Sequence, residues 1–221
     1  MSYLTLAQLR NDTVQARDFA RELALRGSKD HGHGLVWTLF DDDPAATRDF
    51  LYRESEPGRL LIVSKRQPKG DEAIWVLKSR HYAPNPAPAQ RLGFSLRANP
   101  TISWSQPGRT RSLSRDVLLH AKKQAGRPLS PEEREAVCLS WLEARALRLG
   151  VRLNRDQSHV VAFEQRRVPR DGGRPAEFLA VDFEGVLTVE DPTSLDHALT
   201  TGVGKGRAYG LGLLLLRPLE G

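Results

Sequence analysis

Apolar positions along this 221-residue chain change period several times, and each change marks an element. Residues 3–9 form a short apolar opening. Residues 12–26 carry helix formers, with Val14, Phe19 and Leu23 at helical spacing. Gly27-Ser28-Lys29-Asp30 interrupts that pattern. Beyond it, Leu35, Trp37 and Phe40 can anchor a short helix, and Pro44 opens a further helix through Arg53. Residues 60–65 and 73–79 are strand-like, joined by the turn chemistry of Pro68-Lys69-Gly70-Asp71. Residues 82–90, rich in proline and alanine, read as a linker.

The second half repeats the idea. Residues 92–97 alternate like a strand, and residues 109–127 are basic and partly irregular. Ser130-Pro131-Glu132-Glu133 spells a capping box with proline at the first helical position, and that helix runs to Leu149 and stops at Gly150. Strands follow at 159–168 and 177–189, then a short helix at 192–199, a glycine-rich loop and a final strand. This order predicts an α+β protein of two tandem ferredoxin-like units, 1–88 and 89–221. No short-period repeat is detectable.

Two segments carry candidate chemistry. In Gly202-Val203-Gly204-Lys205-Gly206-Arg207-Ala208-Tyr209-Gly210-Leu211-Gly212, five glycines alternate with two cations and a tyrosine. Without Cβ atoms such a backbone can approach a phosphate, and successive N–H groups form an anion-binding concavity. A strand follows the loop, which matches neither the Rossmann nor the P-loop order, so a free nucleotide is the poorer guest. The second segment is a hairpin signal, Asp171-Gly172-Gly173, flanked by Arg166, Arg167, Arg170 and Arg174. Arginines on a projecting hairpin suit a phosphate backbone or base edges.

Charge strengthens the polyanion reading. Lys and Arg number 33 against 27 Asp and Glu, giving +6, and arginine outnumbers lysine. The single cysteine, Cys138, excludes an internal disulfide and reads as a small core residue. The N-terminus lacks a signal-peptide layout and no apolar run reaches membrane-spanning length, so a soluble, cytoplasmic protein without membrane partners is expected. Six histidines are present, none at a zinc spacing; His31-Gly32-His33 has no third ligand nearby, and no metal or cofactor is expected. Asp41-Asp42-Asp43 before Pro44 reads as a helix cap. His33, at the start of the predicted short helix, is the candidate for proton transfer, since imidazole titrates near 6.5.

Several segments, in order, resemble the CasE family, the CRISPR-associated endoribonucleases that process repeat RNA in type I-E systems. They are His33 with Trp37-Thr38-Leu39-Phe40, Arg48-Asp49-Phe50-Leu51-Tyr52, Phe94-Ser95-Leu96-Arg97-Ala98-Asn99-Pro100, Phe183-Glu184-Gly185-Val186-Leu187-Thr188-Val189, and the glycine loop with Gly210-Leu211-Gly212-Leu213-Leu214. The resemblance implies metal-independent cleavage at the base of a repeat hairpin. The RNA's 2′-hydroxyl attacks the adjacent phosphate, leaving a 2′,3′-cyclic phosphate and a 5′-hydroxyl. It also implies delivery of the product into a multi-subunit type I-E surveillance complex.

His33 is the residue to which the resemblance gives a catalytic role. Lys205 and Arg207, with Lys65 on a first-domain strand, are the candidates for charge at the scissile phosphate; Gly202, Gly204 and Gly206 let the loop approach RNA. Family members carry a tyrosine three residues before the histidine, where this chain has Asp30. Asp30 can raise the pKa of His33 by its charge; alternatively Tyr52 or Tyr209 supplies the phenol. The competing expectation is a non-catalytic subunit that only binds RNA hairpins.

Overall fold

The computed structural model describes residues 2–25, 33–40, 47–105, 108, 110, 113–170 and 173–219; side chains at 33, 169, 170, 173, 174 and 176 lie outside that description. Two four-stranded antiparallel sheets dominate, each flanked by helices. The first contains β1 (Ser2–Leu9), β2 (Phe50–Glu56), β3 (Arg59–Ser64) and β4 (Trp75–Tyr82), in the order β2-β3-β1-β4. Helix α1 (Val14–Leu25) and the short α2 (His33–Trp37) connect β1 to β2. The second contains β5 (Arg91–Ala98), β8 (Val151–Arg170), β9 (Gly173–Val189) and β10 (Leu214–Pro218), in the order β10-β5-β9-β8. Helices α4 (Pro131–Ala146) and α5 (Pro192–Thr201) are its crossovers. Both sheets therefore have the ferredoxin-like order, expected from the alternation of elements.

The structure corrects one sequence expectation and adds detail to two others. Residues 50–53 belong to strand β2, not to the helix expected from Pro44 to Arg53; Phe50 and Tyr52 point into one core while Leu51 packs in another, the two-residue period of a strand. Residues 41–46, where that helix was to begin, lie outside the described residues. The segment holding Pro68 to Asp71 joins β3 to β4 without pairing them; each pairs with β1. Instead the Lys69 N–H donates to the Leu39 carbonyl at 2.7 Å, tying this crossover to the end of α2. The basic stretch 109–127 contains regular structure: β7 (Leu113–Asp116) pairs with β6 (Thr101–Trp104), and α3 (Val117–Ala125) follows. Asp116 caps α3 by accepting from the N–H groups of Leu118 and Leu119, and Gly126 closes it in the left-handed region.

The capping box at α4 forms as spelled: Ser130 accepts from the Glu133 N–H and the Glu133 carboxylate accepts from the Ser130 N–H. Strands β8 and β9 extend well beyond the expected 159–168 and 177–189, pairing from Val151↔Val189 out to Arg170↔Gly173. The larger core lies between the second sheet and its helices, centred on Phe183, Leu96, Leu142 and Leu199. Cys138 is fully buried there, and burial pushes its thiol pKa up to about 12. Among the described residues no helix is long and apolar enough to cross a membrane.

The open faces of the two sheets meet. Leu51 and Val63 of the first sheet pack on Leu213, just before β10. Beside them Arg53 of β2 donates to Asp182 of β9 at 3.2 Å and to Ser95 of β5 at 2.8 Å. Arg97 of β5 grips the same Asp182 with a two-pronged fork at 2.8 and 2.7 Å. One largely buried carboxylate thus holds a guanidinium from each sheet.

Candidate nucleic-acid interface

The glycine loop is a closed, packed structure. The Val203 N–H donates to the Gly212 carbonyl at 2.8 Å, and the Gly212 N–H donates to the Arg97 carbonyl at 2.7 Å. Gly212 has φ +90°, and a Cβ there would lie 2.7 Å from the Val203 carbonyl oxygen, so only glycine fits. Lys205 makes an antiparallel bridge to Asn99, and its Nζ donates to Ser103 Oγ at 3.0 Å. Arg207 to Tyr209 then form a single 3₁₀ turn.

Both sheets hold that turn. Tyr52 Oη of β2 donates to the Ala208 carbonyl at 2.9 Å, and Arg166 Nη1 of β8 donates to the Tyr209 carbonyl at 3.1 Å. Tyr52 is buried, which raises its phenol pKa well above the ordinary tyrosine value. Its hydroxyl is engaged by the loop backbone, so it does not serve as a substitute phenol facing a substrate. The Tyr209 ring packs on Phe178 at 4.9 Å.

Strand β2 fixes α2 as well. Phe50, two residues from Tyr52 on the same face, stacks on Phe40 at 5.1 Å and meets Trp37 edge-on at 5.1 Å. The Arg66 guanidinium lies 4.9 Å from the Phe40 ring centre, while its Nε and Nη2 bond both oxygens of Asp49 at 2.9 and 2.8 Å. That fork holds the Asp49 carboxyl below its usual pKa. A single face of β2 therefore carries the helix that begins at His33 and the turn that carries Arg207. Reading 44–53 as a helix hid this juxtaposition; the alternation of Phe50, Leu51, Tyr52 and Arg53 was the signal for it.

The field around the loop is positive. Arg48, just before β2, has its pKa lowered by partial burial and then by the charge of Arg207. Neither has an ion-pair or hydrogen-bond partner among the described residues, an arrangement that a bound polyanion relieves. Arg48 was not singled out from the sequence as a charge-bearing residue. Among the described residues no three potential metal ligands gather.

A family model described as CRISPR associated protein matches residues 2–218. The chain belongs to this family. It is 29% identical over 192 residues to the CRISPR system Cascade subunit CasE of Escherichia coli K12, covering 85% of this chain and 90% of that protein. It is 30% identical over 197 residues to the CRISPR-associated endoribonuclease Cse3 of Thermus thermophilus, covering 83% and 80%. The solved structure of Thermus thermophilus Cse3 bound to an RNA representing a pre-cleavage complex aligns with TM-score 0.69 and 26% identity, over 98% of this chain and 99% of that one. The CasE/Cse3-like type I-E character expected from the sequence is thereby established.

Within this CasE/Cse3-like chain the candidate residues fall into distinct places. His33 opens α2. Lys65 is exposed one residue beyond β3 rather than on a strand, its N–H donating to the Asp49 carbonyl at 3.2 Å. Gly202, Gly204, Lys205, Gly206 and Arg207 share the closed loop. Arg166 is half-buried, pairing with Glu164 at 3.2 Å as well as holding the loop, whereas exposed Arg167 pairs with Glu177 at 3.5 Å. Asp30 lies outside the described residues, as do the side chains of His33, Arg170 and Arg174.

Proposed function

We propose that this protein is the metal- and cofactor-independent endoribonuclease that cuts the CRISPR repeat hairpin of a precursor RNA, and that it then stays on its product as a subunit of a type I-E surveillance complex. The relatives named as an endoribonuclease and as a Cascade subunit support this reading. The observation that carries it is the shared face of β2, from which the His33 helix and the cationic loop both project.

In the reaction a 2′-oxygen–phosphorus bond forms as the bond from phosphorus to the 5′-oxygen breaks. One proton leaves the 2′-hydroxyl and one reaches the departing 5′-oxygen, giving the 2′,3′-cyclic phosphate and the 5′-hydroxyl. His33 assists this transfer, a contribution of roughly 10²–10⁴-fold. Lys65, Lys205 and Arg207 stabilise the charge that develops on the non-bridging oxygens. The glycines at 202, 204 and 206 bring the backbone close to the strand being cut.

The hairpin arginines at 166, 167, 170 and 174 address the RNA stem, with Arg166 acting in part through the loop it supports. Residues 1–88 supply the histidine and residues 89–221 the hairpin and loop. Such a protein acts in the cytoplasm. A single 2′-deoxy nucleotide immediately upstream of the cut tests the chemistry: binding should persist and cleavage in EDTA should vanish. Cleavage of the deoxy substrate would overturn the 2′-hydroxyl mechanism, and tight binding with no cut in the all-RNA hairpin would leave a purely RNA-binding subunit.

A further inference from the structure

The glycine loop borders a cleft of about 550 Å³ between the end of α4, α5 and the start of β6. Its charged lining is wholly basic among the described residues: Arg145, Arg148, Lys205 and Arg207; His197 of α5 also lines it. Arg145 is fixed in place, its guanidinium 4.0 Å from the centre of the Trp141 ring and its N–H groups bonding the carbonyls of Trp141 at 2.9 Å and Thr101 at 3.1 Å. Exposed Arg148, on the 3₁₀ turn that ends α4, has no ion-pair or hydrogen-bond partner among the described residues. Crowding of like charge shows in Arg145, whose pKa is lowered by burial and then by Arg148.

We infer that this cleft holds the sugar–phosphate backbone of unpaired RNA running on from the foot of the hairpin, with Arg148 meeting a phosphate that the hairpin itself does not supply. The inference rests on the proposed function and extends it. Lys205 and Arg207 belong to both loop and cleft, so a strand lying on the loop continues into it. The cleft has room for one sugar–phosphate strand, which suits an unpaired continuation of the strand on the loop. The Ser103 hydroxyl, which accepts from Lys205, suits phosphate oxygens and 2′-hydroxyls.

The test is binding across a salt series of two uncleavable RNAs, each 2′-deoxy at the cut: the repeat hairpin alone, and the hairpin with unpaired flanks. Wild type should bind the flanked RNA more tightly. Arg148→Glu should remove about fivefold or more of that advantage at low salt and flatten the log K against log salt slope by about 0.7, one single-strand phosphate. Arg148→Lys should keep most of the advantage, and the bare hairpin should bind all three proteins alike. Equal weakening of both RNAs by Arg148→Glu, or a flank advantage that survives it, overturns the inference. A wild type that binds the hairpin but gains nothing from flanks overturns it while leaving the functional reading intact. A wild type that binds neither RNA overturns both.

Discussion

Asp49 and Arg66 show what individual residues do for the site without touching a substrate. The Arg66 fork depresses the folded-state pKa of Asp49, so the pair stabilises the fold above the unfolded carboxylate value of about 3.9 and loses that contribution as pH falls through the lower folded value. Asp49→Asn should therefore be less stable than wild type at neutral pH, and the difference should shrink below about pH 4. Denaturant titrations of both proteins across that range check it; a difference that grows toward acid contradicts it. Arg48-Asp49 was legible as part of a motif. Its partner lies 17 residues away, and nothing in a local pattern announces such a pairing. Arg166 teaches a similar lesson, since the sequence displays its charge but not the Tyr209 carbonyl it bonds.

At the scale of elements, legibility followed locality. The start of α4 is written in four consecutive residues, and all of its contacts form. Ser130→Ala should remove about 1 kcal/mol, lowering Tm by roughly 2–4 °C for a chain of this size; calorimetry of the two proteins measures it, and an unchanged Tm contradicts the role of the cap. Strand β2 was misread because a proline upstream suggested a helix start, while the strand's alternation covers only a few residues. The correction changes the site, since β2 presents Phe50 to α2 and Tyr52 to the loop on one face. Helix α3 was hidden in a basic stretch whose cap, Asp116, is the last residue of a strand too short to be recognised.

At the scale of the whole molecule, the alternation of strands and helices spelled the second ferredoxin-like unit in full, whereas the first was read with a helix in place of β2 and lacked one of its four strands. How their sheets meet was not legible: it depends on Asp182 receiving Arg97 from its own sheet and Arg53 from the other. Asp182→Ala leaves two half-buried guanidinium groups without their carboxylate and should destabilise the protein by about 3–5 kcal/mol. Chemical denaturation reads this, and a loss under about 1 kcal/mol would contradict the clamp.

The most direct test of the central claim is cleavage of a synthetic repeat hairpin in EDTA by wild type and by His33→Ala, with binding measured alongside. Wild type should cut, and the variant should bind equally well while cutting about 10²–10⁴-fold more slowly. Unchanged cleavage by the variant would contradict the assignment of proton transfer to His33.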